Sequence, residues 1–179
     1  MDLNELVIGC KNNDRKAQKA FVDHFGKYLF AICRRYMRDD EEAKDVLQDS
    51  FVSIFNNITE FRSDAQALKS WTRQITINAA LQRIRKTYRD KEIMTETMTD
   101  DRNEMPDIYG KIGADEILGL INQLPAMYSQ VFNMYVIDGY SHKEISDLLG
   151  VQESSSRAML TRAKKMIRDK IFEIQKMAI

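Results

Sequence analysis

Apolar positions along this chain fall at helical spacing, and nowhere do they alternate cleanly as a strand would. Asp2 to Lys11 reads as a short helix, and Asn13 or Asp14 can cap the next. In that second segment Ala17, Ala20, Phe21, Phe25, Tyr28, Leu29, Ile32, Cys33 and Tyr36 keep helical spacing for about five turns. Ala43, Val46, Leu47, Ser50, Ile54 and Ile58 form the stripe of a third helix, opened by a capping box of Asp39 with Glu42. A polar break, Phe61-Arg62-Ser63-Asp64, separates it from a fourth. There Ile77, Leu81, Ile84 and Tyr88 make one stripe, while Trp71, Ile75, Asn78 and Gln82 make another, displaced around the helix. Two stripes predict burial on more than one side.

Periodicity fades from Thr87 to Gly113, a polar, acidic segment punctuated by Pro106, Gly110 and Gly113 that reads as a flexible linker. Beyond it, Ile117, Leu118, Ile121 and Leu124 predict a helix, and Pro125 can occupy the first turn of the next. Val131, Phe132, Tyr135 and Val136 are the expected core face of that helix. Asp138-Gly139-Tyr140 reads as a turn. Ser141 and Glu144 form a capping box for a short helix with Ile145, Leu148 and Leu149 inward, and Gly150 ends it in a left-handed conformation. A last helix runs from Glu153, with Leu160, Ala163, Ile167, Ile171 and Ile174 facing inward. Arg157, Thr161, Arg162, Lys164, Lys165 and Arg168 occupy much of its remaining surface. A short helix, a glycine turn and a basic-faced helix make the helix-turn-helix pattern, whose second helix enters the major groove. The plainer alternative is an αα corner with a solvated basic face. The fold class is all-α: two small helical domains, 1–91 and 114–179, joined by a flexible acidic linker over 92–113, the C-terminal domain a helix-turn-helix.

Charge changes this picture by its distribution. The 179 residues carry 27 basic and 27 acidic side chains, a formal net charge of zero, which excludes a generic polycation coating DNA. Yet residues 38–49 hold two bases against six acids, whereas 69–91 hold seven bases against one acid. Residues 92–107 are again acidic, and 157–170 carry six bases against Asp169 alone. Such blocks of alternating sign predict several distinct surfaces. On the third helix Asp45, Gln48, Asp49 and Val52 share the face opposite the apolar stripe, either a protein-binding patch or an ordinary solvated face. On the fourth, cations, amides and the single tryptophan suit single-stranded nucleic acid, where phosphates meet cations and unstacked bases meet rings. Trp71 as a core residue among snorkelling cations is the competing reading.

The remaining chemistry is sparse. Cys10 and Cys33 lie on apolar stripes and read as buried thiols of a reducing compartment. His24 and His142 stand far apart with no partner at metal-ligand spacing, so neither a metal site nor a cofactor is expected. No nucleophile–base pair or glycine-rich phosphate loop suggests an enzyme. No apolar run reaches the roughly 20 residues of a membrane span, and the N-terminus lacks a signal pattern, so the expected location is cytoplasmic.

These blocks, in this order, resemble the sigma factors of the extracytoplasmic-function class of the sigma-70 family, over nearly the whole chain except the linker. The family's Asp-x-x-Gln-acid-x-Phe helix is matched by Asp45, Gln48, Asp49 and Phe51. Its Phe-Arg pair, its Trp-x-x-x-Ile-x-x-Asn run and its Arg-Lys end are matched by Phe61-Arg62, by Trp71, Ile75 and Asn78, and by Arg85-Lys86. Leu124-Pro125 and the run Gly139, Tyr140, Ser141, Glu144, Ile145 match the second domain. The resemblance implies a non-enzymatic subunit that binds core RNA polymerase and directs it to promoter DNA. Polymerase binding would fall to Asp45, Gln48, Asp49, Phe51 and Val52. Phe61, Arg62, Ser63, Asp64 and Asn78 would hold a flipped base of the melted −10 element, supported by Trp71, with Arg73, Arg83, Arg85 and Lys86 on phosphates. Ser155, Arg157, Ala158, Thr161, Arg162 and Lys165 would face the −35 element. The resemblance further implies an anti-sigma partner and a linker threading toward the RNA exit path. A helix-turn-helix regulator acting without polymerase is the alternative.

The chain departs from the family pattern at the turn into the last helix, where Ser154-Ser155-Ser156-Arg157-Ala158-Met159 replaces Gly-Thr-Val-x-Ser-Arg. Ser156 puts a hydroxyl at an apolar packing position. Met159 cannot make the bidentate contact by which arginine reads guanine.

Overall fold

The computed structural model describes residues 2–62, 64–92 and 113–177. Ser63 and most of the expected linker, 93–112, lie outside them. The described residues form helices α1 (Leu3–Lys11), α2 (Arg15–Tyr36), α3 (Asp40–Asn57), α4 (Leu68–Glu92), α5 (Ala114–Asn122), α6 (Ala126–Phe132), α7 (His142–Leu149) and α8 (Glu153–Met177). Two short 3-10 turns, Ile58–Glu60 and Ala65–Ala67, bracket the break before α4. The chain divides into two units, 1–88 and 89–179.

The first unit begins with a tight α1–α2 corner. Asp2 caps α1 with a full capping box, and Asp14 caps α2 through the Lys16 N–H. Between them Asn13 takes a left-handed φ of 56°, tolerable for asparagine, so the chain reverses within a few residues. The helices then meet closely: a Cβ on Gly9 would lie 2.4 Å from that of Ala17. The core collects Phe21, Phe25, Leu29 and Ile32 of α2 with Ala43, Val46, Phe51 and Ile54 of α3. Phe21 meets Phe25 at 4.7 Å and Phe55 edge-on at 5.6 Å, the offset geometry that ring quadrupoles favour. At the start of α3 Asp39 accepts the Glu42 N–H, half of the expected capping box.

Helix α4 buries Leu68, Ile77, Ala80, Leu81 and Ile84 together with Thr72 and Thr76. The two threonines donate back to the Lys69 and Thr72 carbonyls, so their hydroxyls are satisfied without leaving the helix. The second stripe corrects the expectation of two-sided burial. Trp71, Ile75 and Asn78 are only half-buried and Gln82 is exposed, so this stripe is the rim of one core.

In the second unit α8 is the hub, packing against α5, α6 and α7. Its Ala163 and Ile167 join Ile121 and Leu124, flanked by Tyr128, Phe132, Met166 and Ile171. Ile174 is half-buried, and Ile117 is exposed. The expected face of α6 is displaced. Val131 is buried, but Tyr135 and Val136 are 38% and 47% exposed, and Asn133 and Met134 take the inner positions. The cause is a π turn over Asn133–Ile137, in which Asp138 N–H reaches the Asn133 carbonyl at 2.9 Å. The wider turn rotates the following residues off the α-helical register.

Candidate functional site

The first surface lies on α3. Asp45, Gln48 and Asp49 are exposed, and Val52 beside them is 55% exposed. Their spacing places all four on one outward face. Phe51 is not part of it: its ring is 9% exposed and stacks on Phe55 at 6.1 Å inside the core. The motif phenylalanine, which the resemblance assigns to polymerase binding, therefore lies in the core behind the acidic face and holds the helix that displays it.

The second surface is the loop after α3 with the outer side of α4. Phe61 is also buried, its ring 5.1 Å from Trp71, so it forms the foot of the loop and presents no exposed ring to a base. Its carbonyl accepts the Lys11 Nζ at 2.7 Å. Arg62 and Asp64 are exposed, and the Asp64 carboxylate accepts the Ala67 N–H at 3.1 Å, capping the second 3-10 turn. Along α4, Arg85 and Lys86 are exposed, whereas Arg73, Asn78 and Arg83 are half-buried. Asn78 accepts from Gln74 at 3.4 Å, and Lys69 lies over the Tyr28 ring at 4.7 Å. Arg83 reaches Asp45 at 3.4 Å, so the acidic face of α3 and the cationic face of α4 adjoin. Lys11 escaped the sequence reading. It lies 50 residues from its partner, and no periodicity connects the two.

The third surface is the helix-turn-helix. Ser141 and Glu144 make the full capping box, and the serine N–H and hydroxyl lower the Glu144 pKa. Gly150 ends α7 at φ 70°, and Ser146 donates to the Val151 carbonyl at 2.6 Å to close the turn. On α8, Arg157, Ala158, Thr161, Arg162 and Lys165 are exposed and Ser155 is half-buried, while Ser156, Leu160 and Ala163 point inward. Arg157 pairs with Glu153 one turn earlier, and Arg162 donates to the Tyr128 hydroxyl at 3.3 Å. Met159 is half-buried, away from the fully exposed positions.

Ser156 finds a partner for its misplaced hydroxyl. It is fully buried, and its Oγ sits 2.9 Å from His142 Nδ1 on α7. Tyr135 stacks on that imidazole at 4.4 Å, with Lys164 5.9 Å from the tyrosine ring. Burial first, then the Arg157 charge, lowers the His142 pKa from its ordinary 6.5. Elsewhere, burial pushes the Cys10 and Cys33 thiols up to about 11 and about 12, leaving them inert. Among the described residues no cluster of His, Cys, Asp and Glu could hold a metal, and no helix is long and apolar enough to cross a membrane.

Comparison with known proteins covers both units. The family profile for sigma-70 region 2 matches residues 21–90, and that for sigma-70 region 4 matches 114–167. The chain is 25% identical to the ECF RNA polymerase sigma factor SigW of Bacillus subtilis, over 97% of this chain and 99% of that one. It is 26% identical to the ECF sigma factor SigM of Mycobacterium tuberculosis, over 89% and 80%. In fold it is similar to RpoE, solved in complex with the anti-sigma factor NepR from Bartonella quintana, with a TM-score of 0.53 at 19% identity over 88% of this chain and 96% of that one. It is also similar to CnrH in complex with the cytosolic domain of CnrY, with a TM-score of 0.50 at 18% identity over 96% and 99%. With both sigma regions present in order, and relatives of this class aligned over nearly its full length, the chain belongs to the sigma-70 family, in its extracytoplasmic-function class.

Proposed function

We propose that the chain directs core RNA polymerase to promoters by dividing the work among its three surfaces. The α3 face of Asp45, Gln48, Asp49 and Val52 docks on polymerase. The loop carrying Arg62 and Asp64, with Asn78, receives an unstacked base of the −10 element, while Arg73, Arg85 and Lys86 hold phosphates. Phe61 and Trp71 support that loop from below. Exposed Arg157, Ala158, Thr161, Arg162 and Lys165 of α8, with Ser155 at the rim, address the −35 element in the major groove. Domains 1–91 and 114–179, joined through 92–113, match this division. The chain acts as a non-catalytic initiation subunit in the cytoplasm, and a partner of the kind that NepR is to RpoE controls it.

The observation that carries this reading is the adjacency of two opposite faces in one unit, the acids of α3 and the cations of α4 meeting at Asp45 and Arg83. Such a unit can hold a protein on one side and a melted strand on the other. The half-buried Met159 means that the −35 sequence read here lacks an arginine–guanine pair at that position. Run-off transcription with purified core polymerase and a genomic promoter library tests the reading. New start sites should appear with the wild-type chain, and Asp45→Arg combined with Gln48→Ala should abolish both them and capture of core enzyme. Failure of the wild type to add any start site overturns it.

A further inference from the structure

We infer that Lys11 of α1 is a positioning residue for the −10 loop, holding the loop's foot so that its exposed side chains meet one base geometry. This rests on the function proposed above. Lys11 lies ahead of the stretch matched by the region 2 profile, which begins at residue 21. It nonetheless donates across 50 residues to the Phe61 carbonyl at 2.7 Å, a charge-assisted bond at the short end of the range.

Three features make this contact an anchor. First, the end of α1 does not need the lysine. Its last carbonyls are taken by the N–H groups of Asn12, Asn13 and Asp14, which reach Ile8, Gly9 and Cys10. The ammonium is therefore available to the loop. Second, α1 is itself a rigid post. Leu6, Val7 and Cys10 are buried, Gly9 packs on Ala17 with no room for a side chain, and α1 also packs against both 3-10 turns. Third, Phe61 is held at every group. Its N–H goes to the Ile58 carbonyl at 3.2 Å, its carbonyl to Lys11, and its ring against Trp71. Asp64 fixes the far side of the loop through Ala67. Arg62 stands exposed between these fixed points. A side chain that must select among bases needs its backbone placed to a fraction of an ångström by packed supports, and the loop's own short 3-10 turns cannot supply this.

The chain's single tryptophan, seated on Phe61, reports the anchor without polymerase or DNA. Lys11→Met keeps the alkyl stem and removes the donor, whereas Lys11→Arg restores a donor. Two readouts are needed on the full chain: acrylamide quenching of Trp71 in the free protein, and transcription by holoenzyme from templates randomised over the −10 positions. With Lys11→Met, quenching should rise, and discrimination between preferred and non-preferred −10 bases should fall about tenfold, the scale of one charge-assisted hydrogen bond. Core-polymerase capture should stay unchanged, and Lys11→Arg should recover both readouts. The inference is overturned if quenching does not change. It is equally overturned if Lys11→Met lowers transcription from all templates by one common factor, which is what a purely stabilising lysine would do. A wild-type holoenzyme with no −10 preference defeats the function reading itself, and the quenching result then still reports whether the anchor exists.

Discussion

Helices α4 and α8 are both 25 residues long, and both carry a cationic face, yet they are built into their surroundings in opposite ways. The working surface around α8 is held mainly by neighbours in sequence. The Ser141–Glu144 box, the left-handed Gly150, the Ser146 bond to Val151 and the Arg157–Glu153 pair all close within five residues. Around α4 the supports come from far along the chain: Lys11 on Phe61, Asp45 on Arg83, Tyr28 beneath Lys69. The caps and turn of the helix-turn-helix are thus largely locally encoded, with Arg162 on Tyr128 and Ser156 on His142 as the longer reaches, whereas the α4 surface exists only once the first unit has folded. A locally encoded site tolerates changes elsewhere in its unit. A site assembled from distant parts inherits the stability of the whole core.

The strongest way to break this contrast is a core truncation in the first unit. Phe21→Ala removes a fully buried ring that touches two others and should cost about 3–5 kcal/mol. Thermal unfolding followed by Trp71 fluorescence should shift down steeply, and the α4 surface should be lost with it. In the second unit the matching lesion is local. Gly150→Ala forces a side chain into φ 70° with open space around it, so the cost is conformational alone, about 1–2 kcal/mol. Hydrogen exchange should show faster opening of α7 amides, with the Trp71 transition unmoved.

A pH titration sharpens the comparison further. His142 has its pKa lowered, so the folded second unit favours the neutral ring. The stability this contributes is fully present above the ordinary value of 6.5 and drains away as pH falls below it. Glu144, also lowered, adds a second loss as pH falls through 4.5 and below. Exchange protection of α7 should therefore decline from neutral pH to pH 5, and His142→Gln should flatten that decline. The smallest effect belongs to the exposed ion pair between α3 and α4. Arg83→Ala should change the Trp71 transition by less than about 1 kcal/mol, because such pairs are screened and cost side-chain entropy. A larger change would mean that the two faces are coupled in the free chain.

Much of this protein is decided by local pattern. The all-helical class, the caps at Asp2, Asp14 and Ser141, the glycine turn at Gly150 and the basic face of α8 depend on residues within a turn or two of each other, where spacing and side-chain chemistry suffice. Motif residues alone could not separate display from support. Phe51 and Phe61 stand inside motifs to which the resemblance assigns binding, and only packing shows that both rings are buried while Val52 and Arg62, one position on, face outward. The Lys11 bond to the Phe61 carbonyl and the Ser156–His142 bond are likewise tertiary decisions. Each depends on which distant group arrives to satisfy a backbone carbonyl or a buried hydroxyl, and a polar group removed from water accepts whichever partner the fold brings within reach.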